Sequence, residues 1–122
     1  MQLFQRRVIK FTSYVMNGAV ISSTVPPNRD WEGGARGNTF KYSDFKGTDM
    51  LLWETSELEP ANFDDAASTP DEGFSRRHAI GATLGLFGGG VEYVKYKKYF
   101  QLVDDRKRNS LWCFPNTRDG HY

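Results

Sequence analysis

Cysteine is nearly absent: Cys113 is the single one in 122 residues, which excludes an internal disulfide framework and any cysteine-based zinc cluster. Histidine is scarce as well. His78 and His121 are too few and too far apart to suggest a catalytic or metal-binding pair. An excess of one charge is also missing, since 16 bases against 15 acids leave a net charge of +1, which excludes a generic nucleic-acid binder on charge alone. The glycine-rich GGARGNT stretch (Gly33, Gly34, Gly37) lacks the Lys-Ser/Thr pair of a phosphate-binding loop, so its glycines read as turn formers. Among the acids, Asp64-Asp65 has no basic or nucleophilic neighbour and reads as part of a solvated or partner-facing strip. No catalytic, cofactor-binding or metal-binding group stands out. The chain is therefore expected to be no enzyme, with no cofactor and no small-molecule substrate.

Mean hydropathy is −0.61, and against that polar background one stretch is conspicuous. From Ala79 to Val91 there is no charge, and Ile80, Leu84, Phe87 and Val91 recur at helical spacing. Gly81, Gly85 and Gly88 fall on a second face, Glu92 continues that row, and Gly89 completes a second small-xxx-small step. In a membrane such steps let another helix approach closely. Thirteen residues rise only about 20 Å as a helix, short of the roughly 30 Å hydrocarbon layer. The flanks, Arg76 and Arg77 on one side and Tyr93, Lys95, Tyr96, Lys97, Lys98 and Tyr99 on the other, supply the aromatic and snorkelling basic groups of a membrane interface. The expected fold class is thus all-α: a single transmembrane helix over 76–103, with extended, mostly irregular arms.

The remaining segments follow from composition. Residues 1–29 contain Arg6, Arg7, Lys10 and Arg29, several Ser and Thr, and no acid, the pattern of a mitochondrial transit segment or of a basic arm on a membrane surface. Residues 30–75 form an acidic and aromatic arm. Nine of the fifteen acids fall between Asp44 and Glu72, with Lys46 the one base among them. Thr69-Pro70-Asp71-Glu72 has the cap, first-position proline and early acids of a helix entry. Residues 104–122 form a C-terminal arm. Trp31, Trp53, Phe63, Trp112 and Phe114 lie where local apolar content is thin, so they are expected to anchor in grooves of neighbouring chains.

Asp49-Met-Leu-Leu-Trp53-Glu54, then Glu59-Pro60, then Phe63-Asp64, with a glycine-rich span beyond, resembles the beta-subcomplex subunit 8 family of mitochondrial respiratory complex I. Cys113-Phe114-Pro115 and Asp119-Gly120 are similar to that family's tail. The Leu84–Gly89 stretch followed by Tyr93 is similar to the glycine-stripe span of ATP synthase subunit e. The first resemblance implies a structural accessory subunit of NADH:ubiquinone oxidoreductase that supports assembly and stability. Its partners would be other subunits and inner-membrane lipid, and nucleic acid is not among them. Both imply a single-pass protein of the mitochondrial inner membrane with its N-terminus in the matrix. The positive-inside count leans the other way, because the bases after the span outnumber Arg76 and Arg77. The rival class is a small soluble α+β binding domain, in which Ala79–Val91 is a buried strand-turn or helix.

Overall fold

The structure, a computed structural model, describes residues 5–8, 10, 12–20, 40–64, 67–115 and 117–121. Five strands, β1 (Tyr14–Asn17), β2 (Met50–Glu54), β3 (Ala67–Ser68), β4 (Gly81–Leu86) and β5 (Val91–Lys95), form one mixed sheet in the order β3-β1-β2-β4-β5. Only the β1–β3 contact is parallel; the others are antiparallel. Helix α1 (Tyr96–Asp104) follows β5 directly.

The expected all-α fold with a transmembrane helix over 76–103 is corrected by these elements. That stretch holds β4, a hairpin turn, β5 and α1, and no helix among the described residues is long and apolar enough to cross a membrane. The single-pass inner-membrane placement loses its support with it. The physical reason is the period. Of the four residues at helical spacing, Leu84 and Phe87 are buried while Ile80 and Val91 are exposed, so they share no face. Gly-Ala-Thr-Leu-Gly-Leu alternates instead, with Ala82 and Leu84 at 0 % exposure and Thr83 and Gly85 on the other side.

The glycine run Gly88-Gly89-Gly90 closes the hairpin. Leu86 N–H donates to Gly90 O at 2.9 Å, and Gly89 takes φ +80°, a conformation that costs glycine little. Gly88 approaches the chain at Gly47 so closely that a Cβ would stand 2.8 Å from the Gly47 carbonyl oxygen. Around this contact Phe45 stacks on Phe87 with centroids 4.0 Å apart, and Tyr42 Oη donates to Phe87 O.

The main core lies between the sheet and α1. Val15, Met50, Trp53, Phe63, Phe74, Ala82, Leu84, Val94, Tyr99 and Leu111 form one buried cluster. Tyr99 stacks on Phe74 at 4.2 Å and its hydroxyl donates to Pro70 O at 2.7 Å. The tail closes the helix end: Asn109 Nδ2 and Trp112 Nε1 donate to Leu102 O and Val103 O, each at 2.9 Å, satisfying carbonyls that a helix leaves open. Thr69-to-Glu72 does form a capping box with Pro at the first position, but the turn it starts is a three-residue 3-10 segment, Pro70–Glu72.

Candidate functional site

Because side chains alternate along each strand, the register assigns the two faces of the sheet. Val15, Trp53, Leu84 and Val94 face the core. On the other face Tyr14 and Met16 of β1 stand opposite Glu54 and Leu52 of β2, Leu52 stands opposite Gly85 of β4, and Thr83 and Gly85 stand opposite Tyr93 and Val91 of β5. This second face keeps large side chains in solvent. Val91 is 73 % exposed and Tyr93 51 %, and Tyr14 and Met16 each keep over a third of their surface. Between them β2 contributes half-buried Leu52 and the covered Glu54, and β4 offers only Gly81, Thr83 and Gly85.

One end of this face is closed by the chain entering β4. Ser75 N–H donates to Glu54 O at 2.8 Å, which carries Arg76, Arg77 and His78 across the end of β2. The Glu54 side chain is 7 % exposed. Its carboxylate meets His78 Nε2 at 3.0 Å and Arg77 Nη1 at 3.7 Å. Arg77 also reaches Glu57 at 3.6 Å through Nε and donates to Ser13 Oγ at 2.6 Å. Ser75 Oγ accepts from the Arg77 N–H at 3.3 Å. Tyr96 Oη donates to His78 O at 3.2 Å, and the Arg76 guanidinium lies 5.9 Å from the Tyr96 ring centre. Burial, reinforced by Tyr93 and the nearby carboxylates, raises the Tyr96 pKa, so the phenol stays a neutral donor. Burial and then Arg77 lower the pKa of Arg7, which Glu57 opposes; that guanidinium covers the Phe63 ring at 3.6 Å.

Chemically, Glu54 acts as a buried post for two cationic or potentially cationic groups. The His78 side chain is 53 % exposed and that of Arg77 38 %, so both are held from below and presented outward. A second concavity of about 600 Å³ lies between the end of α1 and the tail, lined by Asp71, Val103, Asp104, Arg106, Trp112, Asp119 and His121. Trp112 stacks on His121 there at 4.1 Å. Among the described residues no group of three or more His, Cys, Asp or Glu side chains could hold a metal ion.

The residues singled out from the sequence fall in several places. Gly81 and Gly85 lie on β4, Gly88 and Gly89 in the hairpin turn, and Glu92 on the edge strand β5, so they form no helical stripe. Trp53 and Phe63 are buried in this chain's own core at 0 % and 1 % exposure. Phe114 joins Ala19 and Cys113 in a second buried cluster, and Trp112 is taken by His121. Trp31 lies outside the described residues. Sequence reasoning missed Glu54 and the open-face residues Tyr14, Met16 and Leu52. The available signal was the pair of consecutive bases Arg76-Arg77 followed by His78; the alternation of β1 lies in its burial and not in its residue types.

No protein-family model, curated protein or solved structure matches the chain.

Proposed function

We propose that the chain is a binding domain without catalysis of its own, and that its open sheet face docks an acidic, apolar-bearing segment of a protein partner. The carrying observation is the juxtaposition of exposed Tyr14, Met16, Val91 and Tyr93 with the Arg76-Arg77-His78 run at one end of the same face. Apolar contact on the face would supply affinity, and the basic end would select sign and orientation. The hydroxyl and carboxyl groups of that end are spent on holding Arg77 and His78, which favours recognition over proton transfer. In the setting that the sequence resemblance implies, the partner would be a neighbouring subunit of a respiratory assembly, and co-migration with such an assembly on a native gel tests that setting.

The docking itself is tested by titrating the 15N-labelled protein with a synthetic peptide of alternating leucine and glutamate. Shifts confined to β1, β5 and residues 76–78, reduced in Arg76→Glu and not produced by a leucine–lysine peptide, are expected. Equal shifts from both peptides, or none, overturn the reading.

A further inference from the structure

We infer that the partner segment is present in this same chain, and that two copies dock on each other through the end of the sheet carrying the basic run. The inference rests on the binding reading above, takes the basic end of that site rather than its open face as the contact, and names its occupant. Trp53 pairs with Leu84, and Gly81 with Lys95, in antiparallel register. The chain leaving β2 and the chain entering β4 therefore emerge at one end of the sheet. What leaves is an acidic turn, Ser56-Glu57-Leu58-Glu59, with Leu58 66 % exposed and Glu59 exposed beside it. Glu57 is turned back onto Arg77, so Glu59 is the carboxylate left to face outward. What enters is a basic patch. Ile80 is 58 % exposed; Lys95 pairs with the next residue, Gly81, and exposed Arg76 lies over Tyr96, whose N–H donates to Ile80 O.

Each copy thus carries an exposed leucine flanked by acid and an exposed isoleucine flanked by bases, close together at one end. A two-fold axis through that end sets each acidic turn against the other copy's basic patch, so that the contact is made twice and closes. Leu58 and Ile80 would supply the attraction. Glu59 against Arg76 and Lys95 would fix the orientation, since exposed ion pairs add little affinity of their own. Pairing through the free edge of β5 is the competing way to join two copies. That edge is five residues long and carries Glu92 and Lys95, charges of the kind that keep edge strands apart.

Sedimentation of the purified full chain over a wide concentration range tests this. A dimer is expected at low salt, weakened by about two- to five-fold at roughly 0.5 M salt, where screening shortens to a few ångströms. Leu58→Ser and Glu59→Arg should each shift the population to monomer, as should Arg76→Glu combined with Lys95→Glu. The decisive sample is an equal mixture of the Glu59→Arg and the Arg76→Glu/Lys95→Glu proteins, each monomeric alone. In the mixture both contacts regain opposite charges, and a heterodimer is expected. A wild-type monomer at every concentration, a dimer indifferent to the charge reversals, or a mixture that stays monomeric overturns the inference. If the chain is monomeric but the leucine–glutamate peptide still shifts β1, β5 and residues 76–78, self-docking alone fails. If the peptide also does nothing, the binding reading fails with it.

Discussion

The two faces of the sheet are built from the same strands and differ by one residue of phase. Trp53, Leu84 and Val94 are at most 3 % exposed, whereas the neighbouring positions Tyr93 and Val91 stand in solvent. Stability belongs to the first set, and the second is the surface proposed to dock a partner. The glycines of β4 repeat the contrast in miniature. A Cβ at Gly81 would run into the Val94 carbonyl and stand 2.9 Å from Lys95 Cα, so this chain's own backbone demands glycine there. A Cβ at Gly85 would meet only the Leu52 side chain, Cβ at 3.6 Å and Cδ1 at 3.9 Å, ordinary contacts.

Removing the largest side chain of the covered face should break this comparison most severely. Trp53→Ala is expected to cost about 3–5 kcal/mol, read as a lower urea midpoint or as loss of the folded state.

Alkaline pH should act on the covered side next. Burial, with the Asp49 charge adding and Arg108 and Asn17 opposing, pushes the Cys113 thiol up to about 12, and burial also raises the Tyr99 phenol. The unfolded thiol ionises near roughly 8.5 and the unfolded phenol near roughly 10. Between those values and the folded ones the unfolded state sheds protons that the folded state keeps. The stability these groups contribute is therefore complete below about pH 8.5 and lost as pH rises, on the order of 1 kcal/mol per pH unit for each titrating group. Urea midpoints at pH 8 and 10 should show the fall, and Cys113→Ala should flatten its first part. A wild-type midpoint unchanged between those pH values would contradict this picture of the two buried groups.

Gly81→Ala and Gly85→Ala sharpen the comparison within one strand. The first should cost about 1–3 kcal/mol through forced backbone movement. The second should leave stability unchanged or raise it by about 0.5 kcal/mol, because alanine restricts the unfolded chain more than glycine does. Thermal melts of the two variants side by side decide it, and equal losses would erase the distinction between the two positions.

The smallest effect on folding belongs to the open face. Met16→Ser with Tyr93→Ser should change stability by no more than about 0.5–1 kcal/mol while weakening the peptide response that defines docking. A large loss of stability would show that these side chains serve the core after all.

What the sequence made legible was local. The Thr69-to-Glu72 cap is read directly from Thr-Pro-Asp-Glu, and the structure has it. Its helix is missing because the chain reaches Gly73, at φ +97°, after one turn. The β4–β5 hairpin was hidden because an uncharged run with bulky residues at intervals of four, three and four fits a helical period, and its glycines fit a membrane stripe. The decisive fact, that Leu84 faces Trp53 across 31 positions of sequence, is a pairing that no local pattern encodes. The same holds for Glu54, whose role depends on Arg77 and His78 arriving from 23 and 24 residues away. Trp112 and Phe114 were legible as residues in need of apolar contact, but not as residues that this chain itself would satisfy.

One buried side chain bears on how the domain is made over time. Asn17 Nδ2 donates to Met50 O at 2.9 Å and to Leu111 O at 3.2 Å, and lies 3.4 Å from Cys113 Sγ, while Met50 N–H donates to Ser110 O at 2.8 Å. During synthesis β1 emerges before β2, yet two of the three acceptors of its last residue's amide are added more than 90 positions later. A nascent chain halted before Ser110 lacks two of the three acceptors of this amide, Leu111 O and Cys113 Sγ, and leaves the Met50 N–H without its own. The sheet would therefore close late, once residues 110–113 have emerged, because contacts so distant in sequence require a long loop to close first.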